Sequence, residues 1–117
     1  MKQVSVSKMV VRRGDEGRPV FAVLADGSLV RVGWTTSGPR TFAVPDGATA
    51  VVWVLYNRRD GALFIAEPSD GLPVRGTLST WRQSADANRA QMAADLDVSE
   101  DSPAVAELMK LMYRFVK

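Results

Sequence analysis

Trp34, Arg40, Phe42, Tyr56, Arg58 and Arg59 combine flat rings with guanidinium groups inside one stretch of the chain. Rings stack on the faces of bases and cations track phosphates, so such a set on one exposed sheet face would bind single-stranded nucleic acid. The plainer alternative is that the rings of Trp34, Phe42 and Trp53 fill the core while the arginines sit solvated at turns and rims, where arginine usually lies. A second candidate is the loop Thr35-Thr36-Ser37-Gly38-Pro39-Arg40. Its hydroxyls, glycine and guanidinium are suited to a phosphate or sulfate. It has neither the glycine spacing nor the lysine of a P-loop, and a polar loop between strands explains it as well.

Carboxylates form a third group: Asp15-Glu16, and Asp95, Asp97, Glu100 and Asp101. Paired acids can transfer protons or hold hard cations. The second cluster lacks the spacing and glycine of a calcium loop, and it falls where one helix should end and another begin. A fourth group is Leu108, Met109, Met112 and Phe115, an apolar stripe near the C-terminus. Such a stripe can lie in a groove of another protein or of a second copy, with flexible thioethers adapting to the partner. It can equally close the protein's own core. Arg13-Gly14-Asp15 resembles an integrin-binding tripeptide, but turn composition accounts for it.

The chain contains no histidine and no cysteine. Thiol nucleophiles, imidazole acid–base pairs and the usual zinc sites are therefore closed to it, and neither a cofactor nor a metal is expected. Four lysines, Lys2, Lys8, Lys110 and Lys117, all lie near the ends, a poor setting for a buried reactive amine. A non-enzymatic binding protein is the resulting expectation. Net charge is +2 over 117 residues, but residues 1–82 hold 11 Lys/Arg against 7 Asp/Glu while residues 83–117 hold 4 against 6. A basic sheet with a mildly acidic helical tail attracts anions weakly without establishing a nucleic-acid binder.

The elements that must position these residues surround Thr49-Ala50-Val51-Val52-Trp53-Val54-Leu55-Tyr56. This uncharged run, fenced by Pro45-Asp46-Gly47 and Asn57–Gly61, reads as a central strand covered on both faces. Before it, residues 2–12 form a strand in which Val4 and Val6 share one face while Met9 and Val11 take the other. That phase change predicts a bulge near Ser7-Lys8. Asp26-Gly27 predicts a two-residue hairpin turn with positive φ at both positions, joining strands 19–25 and 28–34. In the latter, Val30, Val32 and Trp34 fall on one face and Leu29, Arg31 and Gly33 on the other. Short strands follow at 40–44 and 62–66.

The fold class expected is α+β: about six antiparallel strands paired in sequence, curled or closed into a small barrel, then two C-terminal helices. One domain over 1–117 is expected, with a β part over 2–66, a linker over 67–78 and a two-helix part over 79–117. The first helix should run from about Thr80 to Leu96 with Ser79 or Thr77 as N-cap. Ser102-Pro103 should open the second, with Ser as N-cap and Pro at the first helical position. No run approaches the ~20 apolar residues of a membrane helix, so a soluble, cytoplasmic, bacterial-type protein is expected. Its partner is expected to be nucleic acid, met through the sheet. The alternative is a protein, met through the sheet or the last helix by an adaptor or inhibitor of the kind phages and mobile elements carry, with a homodimer possible.

Overall fold

A computed structural model describes residues 2–9, 17–56, 60–66, 75–80 and 85–113, with side chains placed for 2–6, 9, 17–54 and 86–111. In chain order the elements are β1 (Lys2–Met9), β2 (Pro19–Leu24), β3 (Leu29–Trp34), β4 (Gly38–Val44), β5 (Ala48–Tyr56), β6 (Asp60–Ala66), β7 (Arg75–Thr80), α1 (Ala85–Leu96) and α2 (Pro103–Tyr113). The class is α+β. Among the described residues no helix is long and apolar enough to cross a membrane.

β5 is the central strand of an antiparallel sheet ordered β3-β2-β5-β6-β7. Its residues alternate between two separate cores because successive side chains leave a strand on opposite faces. Ala50, Val52 and Val54 join Val23 beneath Met92, Ala93 and Leu96 of α1 and Ala104, Val105, Leu108 and Met109 of α2. Val51 and Trp53 turn the other way, joining Val20 and Ala22 beneath Val4, Val6 and Met9 of β1 and Phe42 and Val44 of β4. The molecule is therefore layered: a two-stranded ribbon, the five-stranded sheet, and a helix pair. An apolar run with no polar face is what a strand with cover on both sides requires.

The expected single six-stranded sheet, curled or closed into a small barrel, is corrected here. The strands divide into two sheets, β1-β4 and the five-stranded sheet, and neither closes among the described residues. Pairing in sequence order fails at three places, since β1 pairs with β4 and β2 with β5. Turn lengths suggested neighbours, but burying both faces of β5 favours lifting β1 and β4 out as a separate layer.

The expected linker over 67–78 is corrected over 75–78, because Arg75–Thr80 pairs antiparallel with β6 from Ile65↔Arg75 to Asp60↔Thr80, while residues 67–74 lie outside the described residues. Thr77 and Ser79, expected as helix caps, thus lie in β7, and α1 begins at Ala85. Hydroxyl residues suit caps and strands alike, and an open ladder on β6 decided between them.

Three local features follow the sequence more closely. The β1–β4 register slips between Val6 and Met9, the expected bulge. It also returns Met9 to the face of Val4 and Val6, where a strict alternation had placed it opposite. The β2–β3 hairpin forms, but only Gly27 takes positive φ, at +85°, so the turn is a three-residue loop, Ala25–Gly27, rather than the two-residue type. The Gly27 amide donates to the Leu24 carbonyl at 2.9 Å and the Leu24 amide to that of Ser28 at 2.9 Å. Asp26 stays out of the left-handed region because its carboxylate accepts from the Ser28 amide at 2.9 Å and the Ser28 hydroxyl at 2.6 Å. In α2, Ser102 is the N-cap and Pro103 the first helical residue, as expected, with the Val105 amide donating to Ser102 Oγ at 3.4 Å. The Ala104 amide, an orphan of the first turn, donates to the Gly27 carbonyl at 2.8 Å and docks the helix on the hairpin.

Candidate binding edge

β3 is an end strand of the five-stranded sheet, and its irregularity decides what it displays. Val20 pairs with Gly33 while its neighbour Phe21 pairs with Arg31, so Val32 is an extra residue bulged out of the ladder. A bulge resets the alternation beyond it. Trp34, opposite Pro19, therefore leaves the face of Val30 and arrives on the face of Arg31 and Phe21. The face assignment expected from simple alternation, with Val30, Val32 and Trp34 together, is corrected by that one residue. The Arg31 guanidinium carbon lies 4.7 Å from the centroid of the Trp34 ring. A cation at that distance is held by the ring's quadrupole.

Trp34, 44% exposed, and Val30, 38% exposed, are the exposed large apolar side chains among the described residues. Both lie on β3. By pairing, Val30 stands with Ala22 on the ribbon side and Trp34 with Pro19 on the helix side. Phe42 is only 2% exposed and belongs to the ribbon core, so it presents no ring face to a ligand. It lies against Gly33, where a Cβ would come within 2.9 Å of Phe42 Cε1. The exposed Arg40 covers that ring, 5.5 Å from its centroid. Tyr56 ends β5 with its side chain outside the described residues, and Arg58 and Arg59 lie outside them altogether. Of the expected aromatic and basic set, the structure leaves Trp34 and Arg40 exposed, and it adds Arg31.

The C-terminal apolar stripe does not form a free surface where it is described. Leu108 and Met109 are buried in the helix-side core, while the Met112 side chain and Phe115 lie outside the described residues. The hydroxyl loop serves the fold. Thr35 is buried, its Oγ1 accepts from the Arg18 amide at 3.0 Å, and its own amide donates to the Arg18 carbonyl at 2.8 Å. The Thr36 amide donates to Met9 Sδ at 3.4 Å. These bonds fasten the end of β3 to β1 and to the start of β2.

The carboxylates of the second acidic cluster divide. Asp95 accepts from Gln91 within α1 at 3.3 Å. Asp97 and Asp101 line, with Asp26, a cleft of about 520 Å³ between the β2–β3 turn and the α1–α2 connection. Asp97 ends α1 at φ 55°, with the Val98 amide donating to the Ala93 carbonyl at 3.0 Å and its own to that of Ala94 at 3.3 Å. That is a Schellman cap with aspartate in glycine's place. The hydrogen bonds from the Ser28 hydroxyl and then the Ser28 amide hold the Asp26 carboxyl below the usual carboxylate range. Among the described residues no group of three acidic, histidine or cysteine side chains is placed to hold a metal ion. Asp15 and Glu16 lie outside the described residues.

Arg31 and Val30 are the residues that sequence reasoning missed. Both were visible as types, but Arg31 meets the Trp34 ring only because the Val32 bulge turns Trp34 onto its face, and that Val30 is left uncovered depends on β3 ending the sheet. No protein-family model, curated protein or solved structure matches the chain.

Proposed function

We propose that the protein is a non-enzymatic binding module whose contact surface is the outer edge of β3, and that its partner is a protein. One observation carries this reading: the large apolar side chains exposed among the described residues, Val30 and Trp34, both fall on the end strand of the sheet. Tryptophan and arginine are the residue types that most often anchor protein interfaces, and Arg31 and Trp34 are already stacked before a partner arrives. Such preorganisation lowers the ordering cost of binding. The last helix is the weaker surface for a partner, since Leu108 and Met109 are already used by the core.

A photo-crosslinking residue at Val30, compared with one at Thr41 on the outer face of the ribbon, tests the reading in extracts of the source cells. Selective capture of one protein from position 30, competed by the unmodified protein, is the expected result. Equal capture from both positions sinks it.

A second reading keeps single-stranded nucleic acid as the ligand. It is favoured by the uncovered part of the Trp34 ring beside the guanidinium of Arg31, with Arg40 also exposed, on β4 of the ribbon. One exposed ring is a small platform for a strand of stacked bases, which is why this reading stands second. It expects tryptophan fluorescence to be quenched by short oligonucleotides at low salt and restored at high salt.

A further inference from the structure

Strand addition needs an open ladder and side chains beside it on which the incoming strand can pack. The outer edge of β3 offers both, since no strand lies beyond it among the described residues. Val30 and Trp34 stand on opposite faces of the strand, so a strand added there covers an exposed apolar residue on each face. Edge strands usually protect themselves with outward lysines, prolines or inward charges. β3 carries one charge, Arg31, and that guanidinium is turned onto Trp34.

Charge identifies the occupant. Residues 28–44 contain Arg31 and Arg40 and no carboxylate. A second copy adding its own β3 would set Arg31 beside another Arg31 with no carboxylate on either strand, and like charges across a ladder are destabilising. A strand carrying carboxylates would meet Arg31, and its apolar residues would meet Val30 and Trp34. We propose that the β3 edge receives, as an added strand of the sheet, an extended acidic segment of a protein partner. This inference rests on the edge being the binding surface, and it specifies the partner's conformation and charge.

Three peptides test it on the full-length ¹⁵N-labelled protein: alternating Glu-Val, alternating Lys-Val, and a Glu-Val peptide methylated on alternate backbone nitrogens. The readouts are amide shifts and hydrogen-exchange protection. The Glu-Val peptide should protect amides within Leu29–Trp34, and the Lys-Val peptide should bind at least roughly tenfold more weakly. The methylated peptide should lose binding, because it cannot complete the ladder. Arg31→Glu, at an exposed position, should reverse the charge preference while leaving the amide spectrum of β5 unchanged.

Equal binding of the Glu-Val and Lys-Val peptides at β3 overturns the acidic partner and leaves the edge as the binding surface. Undiminished binding of the methylated peptide overturns strand addition. No protection at β3 by any peptide, or tighter binding there by oligothymidylate, overturns both this inference and the protein-binding reading.

Discussion

Gly27 turns the hairpin at φ +85° while its carbonyl accepts the Ala104 amide at 2.8 Å, so one residue both closes a loop and caps a helix. A Cβ there would lie 2.7 Å from Ser102 Cβ. Gly27→Ala should therefore cost at least about 1–2 kcal/mol from the left-handed backbone alone, before the contact with Ser102 is relieved. Chemical denaturation reads this directly, and an unchanged midpoint would contradict the docking of α2 on the turn. Asp97 also sits in the left-handed region, at φ 55°, which aspartate enters more readily than most side chains but less readily than glycine. Asp97→Gly should stabilise by roughly 1 kcal/mol, the opposite sign at the same kind of position.

Asp26 adds a pH dependence whose sign is fixed by its lowered carboxyl pKa. Its hydrogen bonds to Ser28 contribute fully above the ordinary value of 3.8 and are lost as pH falls through the lower folded value. Asp26→Ala should thus destabilise at neutral pH, with the difference from the native protein vanishing in stronger acid.

At the level of elements, the two cation–ring pairs separate sharply. Phe42 is buried between the ribbon and the sheet, so Phe42→Ala should cost about 3–5 kcal/mol through the cavity it leaves. Trp34→Ala, at the exposed edge, should fall nearer the ±0.5 kcal/mol typical of surface positions, plus the small loss of its stacking on Arg31. Calorimetry of the two variants checks the assignment, and similar costs would refute it. α2 should behave as core: Leu108→Ala is expected to cost about 2–5 kcal/mol and to lower the melting temperature without abolishing binding at β3.

Element identity was legible where one pattern had one solution. The helix over Pro103–Tyr113 could be read from its cap, its proline and its apolar repeat, and β5 from an unbroken apolar run. Arg75–Thr80 was not legible, because hydroxyl residues after a proline- and glycine-rich stretch suit a helix start as well as a strand. Its pairing with β6 is a long-range fact.

For the whole molecule, the sequence by itself determined the α+β class, the covered central strand, the bulge in β1 and the cap of α2, all properties of residues close together in the chain. It also determined that histidine and cysteine chemistry is absent, since that is composition. Tertiary structure alone decided that β1 and β4 leave the main sheet as a ribbon, because burying both faces of β5 depends on which distant surfaces are available to cover it. It alone decided which rings are exposed. Phe42 and Trp34 are similar in the sequence, two aromatic residues on neighbouring short strands beside arginines. Packing against Gly33 draws the first into the ribbon core, and the extra residue at Val32 turns the second outward onto Arg31. A register shift of one residue reverses a side chain's face, and local composition does not encode register.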